Sequence, residues 1–155
     1  MKHIVYNAVL CLDCGEKLIS RHVHDYKTCS CPNKAMVDGG LEYERYGAKN
    51  FDRIVKETLY DTDDYQMVRI YATRGSRGKD NKQPLTWVPL CAMEDDYLQA
   101  VIDYYPEGTD NAHLNLIRKE IEYRGLKCEE CGRINTSHDE KCSQKKKLEY
   151  FEKYK

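Results

Sequence analysis

The sequence is short of several things, and each shortage removes a class of protein. Only two Phe and one Trp occur in 155 residues, so the 41% hydrophobic share leans on thirteen Tyr and supports a modest core, not a large one. Neither charge is in surplus: 25 Lys and Arg stand against 26 Asp and Glu, a formal net charge of -1. Whole-chain attraction to nucleic acid is thereby excluded, and any such binding must come from local basic patches. Nowhere do about 18 apolar residues run together, as a membrane-spanning helix requires. The opening MKHIVYNAVLCLDCGEK meets a cysteine pair and charges too early for the apolar stretch of a signal peptide. The expectation is therefore a soluble cytoplasmic protein, where thiols stay reduced and paired cysteines point to metal ahead of disulfides.

Cysteine, by contrast, is plentiful and patterned. Seven of the eight Cys and three of the five His fall into two clusters. The first is Cys11, Cys14, Cys29 and Cys31, in the pattern C-x2-C-x14-C-x-C. Four thiolates suit tetrahedral zinc, and two short loops presenting two sulfurs each make a zinc ribbon. Gly15, directly after the first pair, allows the tight turn that aims backbone N–H groups at sulfur. Four buried cysteines without metal are the plain alternative. The second set is Cys128, Cys131, His138 and Cys142, in the pattern C-x2-C-x6-H-x3-C, a permissible zinc knuckle. Its loop GRINTS has no aromatic to stack a base, so sequence-specific RNA reading does not follow. The alternative there is a reduced, unstructured tail. Cys91 stands alone as a core or boundary thiol.

Between the first cysteine pairs lie His22, His24 and Asp25. His-x-His on a strand puts both imidazoles on one side. One of them can replace a cysteine ligand, or both can hold a second, catalytic metal with Asp25. Otherwise His24 and Asp25 brace the ribbon by hydrogen bonds to ligand sulfurs or backbone, and His22 is merely exposed.

The expected fold class is α+β, a small modular zinc protein. Residues 1–47 form a zinc ribbon, with strands in Ile4-Val5-Tyr6 and Ala8-Val9-Leu10 and a tight turn at Asp38-Gly39-Gly40. Residues 48–65 supply a linking helix, with Phe51, Ile54, Val55 and Leu59 at helical spacing, and an acidic connection. Residues 66–126 form a ββαα core unit. In it, 66–73 alternates as a half-buried strand, 85–90 is its hairpin partner, and 94–105 and a stretch ending at Gly125 are amphipathic helices. Thr109 or Asp110 caps the last helix. Residues 127–143 are the knuckle, and 144–155 a charged helical tail. Arg69 and Tyr71 face outward on the first hairpin strand, and Arg74, Arg77, Lys79 and Lys82 lie on its long loop, where cations beside an aromatic can grip phosphates. Solvated charge is the ordinary reading of such a loop.

On the strings C-x-x-C-G, S-x-H-x-H-D-Y-x-x-C-x-C and A-x-V-D-G-G-x-x-Y-x-R, residues 8–47 resemble a segment of small bacteriophage-encoded proteins. The residues that carry it are Cys11, Cys14, Gly15, His24, Asp25, Cys29, Cys31, Asp38, Gly39, Gly40, Tyr43 and Arg45. Residues 69–125 resemble phage accessory sequence more loosely. One departure is Pro32-Asn33 in place of the usual Gly after the second cysteine pair, which reshapes that knuckle. The resemblance lends no activity; it implies a phage accessory product in a bacterial cytoplasm, suited to counter-defence or host takeover.

No acid–base constellation stands out, so the expectation is a binding protein carrying two zinc ions. Its partner is a host or phage protein, with nucleic acid as a second class of partner, and no membrane. A metal-dependent nuclease built on His22, His24 and Asp25 is the alternative from another class, although neither H-N-H nuclease residues nor the deaminase H-x-E and P-C-x-x-C pattern are present. A self-assembling structural protein is the third.

Overall fold

A computed structural model describes residues 2–126. The chain divides into two compact units, 1–90 and 91–155. The fold is mixed α+β, with short antiparallel sheets and three helices among the described residues. No helix among them is long and apolar enough to cross a membrane.

The first unit is built around β1 (Ile4–Cys11), whose sequence IVYNAVLC is buried almost throughout. A strand covered on both faces reads as a continuous apolar run, and Asn7 is the one polar interruption. Its neighbours are β2 (Lys17–Ile19) on one side and β6 (Ile54–Tyr60) on the other, both antiparallel. A second three-stranded sheet runs β3 (Lys27–Thr28), β4 (Met36–Asp38), β5 (Arg45–Gly47). Val9, Cys11, Leu18, Cys29, Ala35 and Val37 form one buried cluster that joins the two sheets, with Cys31, Ala48 and Ile54 at its margin.

Residues 51–60 correct the expected linking helix. After a single 3-10 turn at Phe51–Arg53, capped by Asn50, the chain becomes β6, which pairs with β1 from Ile4 opposite Tyr60 to Cys11 opposite Ile54. The spacing of Phe51, Ile54, Val55 and Leu59 fits a helix, but β-branched Ile54, Val55 and Thr58 also fit a pleated edge, and the open side of β1 decides. Residues 66–73 are corrected the other way. Asp64 accepts from the Gln66 N–H at 3.0 Å and starts α1 (Tyr65–Tyr71), which buries Val68 and lays Tyr71 against Tyr6 with ring centroids 5.0 Å apart. Ile70, which an alternating strand would bury with Val68, is 51% exposed. The hairpin follows one step later, β7 (Thr73–Ser76) with β8 (Thr86–Pro89).

The hairpin falls in the first unit, and the two helices of the expected ββαα stretch fall in the second. In the second unit α2 (Asp95–Tyr104) opens with Asp95 and Asp96 at its positive end, and α3 (Ala112–Tyr123) packs against it. The cap of α3 is Asn111, whose Oδ1 accepts from Leu114 N–H at 2.8 Å, and not Thr109 or Asp110. Thr109 instead closes the turn onto the Pro106 carbonyl. Fully buried Glu120 is paired by Arg124 at 2.8 Å; Arg124 also bonds Asp95 and the Met93 carbonyl, tying the end of α3 to the start of α2.

Candidate metal centre

Cys11 ends β1 at the centre of the first unit, and the turn behind it carries Cys14. Within that turn the Cys11 N–H bonds the Glu16 carbonyl at 3.0 Å and the Gly15 N–H returns to the Cys11 carbonyl at 2.8 Å. Gly15 has φ +74, the left-handed value that a side chain resists. In the second loop the Cys29 N–H reaches one residue further, to the Ala35 carbonyl, and the Lys34 N–H returns to the carbonyl of Cys31, the second cysteine of its pair. Here Lys34, at φ +52, takes the left-handed position. Pro32-Asn33 thus displaces the turn by lengthening it and does not abolish it.

The two loops bring the four sulfurs within 4.8 Å of one another, with Cys11 Sγ and Cys29 Sγ at 3.6 and 3.5 Å from Cys31 Sγ. A tetrahedron of thiolates around zinc at about 2.3 Å has edges of about 3.8 Å. A disulfide would need about 2.05 Å, and all four are free thiols. Backbone N–H groups of Cys14 and then Asp13 point at Cys11 sulfur and hold its pKa down at about 7, against the cost of desolvation. Desolvation, with the neighbouring sulfurs, pushes Cys31 up to about 12 despite the Asn33 N–H. Cys14 is also raised: desolvation and neighbouring sulfur outweigh the Glu16 N–H that favours its thiolate. Four sulfurs this close cannot all be anionic on their own, and a divalent cation is what deprotonates such a set. The group can hold a metal ion, and its donors are compatible with zinc.

The expected strand geometry of the His-x-His pair is corrected. Residues 22–24 form a turn, not a strand, and His24 has φ +62. His24 Nδ1 lies 3.3 Å from the Tyr43 hydroxyl, and His22 lies 4.0 Å from Asp25. Asp25 is occupied by the Arg21 N–H at 2.8 Å and Lys27 Nζ at 3.2 Å. Among the described residues the four cysteines alone form a group of three or more His, Cys, Asp or Glu donors close enough to share an ion. The Cys128, Cys131, His138 and Cys142 set, its second zinc and the 144–155 tail lie outside the described residues.

Arg69 and Tyr71 sit on α1 and not on a strand, and Tyr71 is packed against Tyr6, not turned outward. Arg74 is on β7, while Arg77, Lys79 and Lys82 are exposed in the hairpin loop.

Sequence reasoning missed the polar clamp behind the centre. Asn7, fully buried, donates to the carbonyls of Gly40 at 2.8 Å, Tyr43 at 3.2 Å and Asp38 at 3.3 Å. Its Oδ1 accepts from Lys56 Nζ at 2.7 Å, and Lys56 also reaches Thr58 Oγ1 at 2.6 Å and Glu44 at 3.5 Å. Gly39 N–H caps onto Asp38, whose carboxylate pairs with Arg45 at 2.8 Å, and Gly40 N–H bonds Ser20 Oγ. One amide inside the apolar run IVYNAVL was the available signal for this clamp. Lys56 gave none while its segment read as helix.

Residues 3–48 match the family model described as a domain of unknown function, DUF7695. The matched stretch holds all four cysteines, Asn7 and the Gly39-Gly40 turn, and stops before β6. No curated protein and no solved structure matches the chain.

Proposed function

We propose that this chain is a zinc-stabilised accessory binding protein, an adaptor or inhibitor that engages a host or phage protein, or a protein–nucleic acid complex, in an infected bacterial cytoplasm. The observation that carries the reading is the donor set. Four protein thiols converge on one point, and a site filled by four cysteines has no open position for substrate or water. Such an ion is structural, and function passes to the surfaces it holds in place. The nuclease reading has less support, because His22, His24 and Asp25 do not converge and Asp25 is taken by Arg21 and Lys27.

The test is affinity capture from an expressing or infected bacterial lysate, with and without nuclease treatment, using zinc-loaded and metal-stripped protein. The expected result is a partner held by the loaded form and released on stripping. Divalent-dependent cleavage of nucleic acid that disappears in a folded His22→Ala/His24→Ala variant would overturn the reading in favour of an enzyme.

A further inference from the structure

Arg21 has no place in the metal centre or the clamp. It is half-buried, donates from Nη1 to Thr73 Oγ1 at 2.8 Å, and sets its guanidinium 5.1 Å from the centre of the Trp87 ring. Among the described residues it forms no side-chain ion pair with a carboxylate; Asp25, the acid nearest in sequence, bonds its backbone N–H and Lys27. An arginine laid on an aromatic ring is pre-oriented, and its remaining N–H edge suits a phosphate.

Trp87 stands opposite Gly75 in the hairpin, where an added Cβ would come to 3.4 Å of the indole and 3.1 Å of Leu85. The missing side chain lets Leu85 and Trp87 settle on that strand. Leu85, just before β8, and Trp87 both lie against the same side of Gly75, and Leu85 is 47% exposed, so the two make a short apolar strip beside Arg21. The loop beyond it carries exposed Arg77, Lys79 and Lys82 against a single carboxylate, Asp80, which is occupied by the Lys82 N–H and Gln83. In a chain of net charge -1, this is a local excess of positive charge beside an apolar strip.

We propose that this face of the hairpin binds single-stranded nucleic acid, with Arg21, Arg77, Lys79 and Lys82 on phosphates and Leu85 and Trp87 against bases. The inference rests on the binding-protein reading and names its partner. Backbone cations beside an apolar and aromatic strip are the recognition chemistry of single strands; a duplex keeps its bases stacked inside.

Trp87 is the one tryptophan of the chain, so its fluorescence reports on the site directly. The zinc-loaded full chain is titrated with short single-stranded DNA and RNA of mixed sequence at several salt concentrations. The expected result is quenched Trp87 emission and a slope of log K against log salt of about −0.7 per phosphate contacted. Substituting Arg77, Lys79 and Lys82 together by Gln is expected to weaken binding about tenfold or more and to flatten the slope by about 2 units. Arg21→Met is expected to weaken binding several-fold at unchanged zinc content. A folded, zinc-loaded chain with no quenching and no salt-dependent binding would overturn the proposal. So would equal affinity for duplex, or for poly-glutamate, the latter marking an acidic protein as the partner. Failure of the chain to bind zinc would instead sink the functional reading itself, whatever the oligonucleotides do.

Discussion

Asn7 and the Asp38-Gly39-Gly40 turn work as one joint. The amide satisfies three carbonyls of the 38–43 stretch, and the glycines make the stretch narrow enough to be reached. Gly39 and Gly40 have φ +104 and +55, and an added Cβ would stand 2.0 Å from the Tyr43 carbonyl oxygen and 2.2 Å from the His22 carbonyl carbon. Both obstacles are backbone and cannot rotate away. Gly39→Ala and Gly40→Ala are each expected to cost about 3 kcal/mol or more in denaturant unfolding. Gly15→Ala, with nothing within 4 Å, is expected to cost only the left-handed strain, about 1 kcal/mol. Glu44 adds a pH dependence. Burial opposes its charge, but hydrogen bonds from Thr58 and Tyr60 and the nearby Lys56 outweigh that and hold its carboxyl below its ordinary 4.5. The unfolded chain therefore takes up this proton first as pH falls. The stabilisation is complete above about pH 4.5 and is lost as pH drops through the lower folded value. Unfolding midpoints of wild type and Glu44→Gln, compared from neutrality downward, are expected to converge in that acidic range; thiolate protonation is common to both proteins and cancels in the difference.

At the scale of elements, caps and open strand edges decide where periodicity is ambiguous. Asp64→Ala removes the acceptor that starts α1 and is expected to cost about 1 kcal/mol, read as a lowered unfolding midpoint of the first unit. β1 was legible from its apolar runs, and α2 and α3 because each repeats the helical period over ten residues or more. The first cysteine cluster was legible because ligand spacing is local. The segments β6 and α1, seven residues each, were read in exchange for one another. At that length an apolar residue every second or every third position fits either element. What settles them lies elsewhere in the chain: the unpaired side of β1 for β6, and the Asp64 cap with the Tyr6 ring for α1. The polar clamp was not legible at all, since Asn7 and Lys56 stand 49 residues apart and meet only through the pairing of β1 with β6.

Taken as a whole, the chain is two units, and the first joins its two three-stranded sheets through a small cluster. The cluster consists of Val9, Cys11, Leu18, Cys29, Ala35 and Val37, mostly small side chains, two of them proposed ligands. So little apolar area contributes modestly to stability. Zinc in small modules contributes about 10–16 kcal/mol of binding free energy, which becomes folding free energy. The first unit is accordingly expected to depend on its metal. The most direct measurement is cobalt substitution in a full chain with Cys128, Cys131 and Cys142 changed to Ser, which isolates the first cluster. The account predicts one cobalt per chain with the intense absorption of a tetrahedral four-thiolate site, unchanged by His22→Ala or His24→Ala and abolished by Cys29→Ser. Absence of bound metal, or a spectrum that shifts when either histidine is removed, would contradict it.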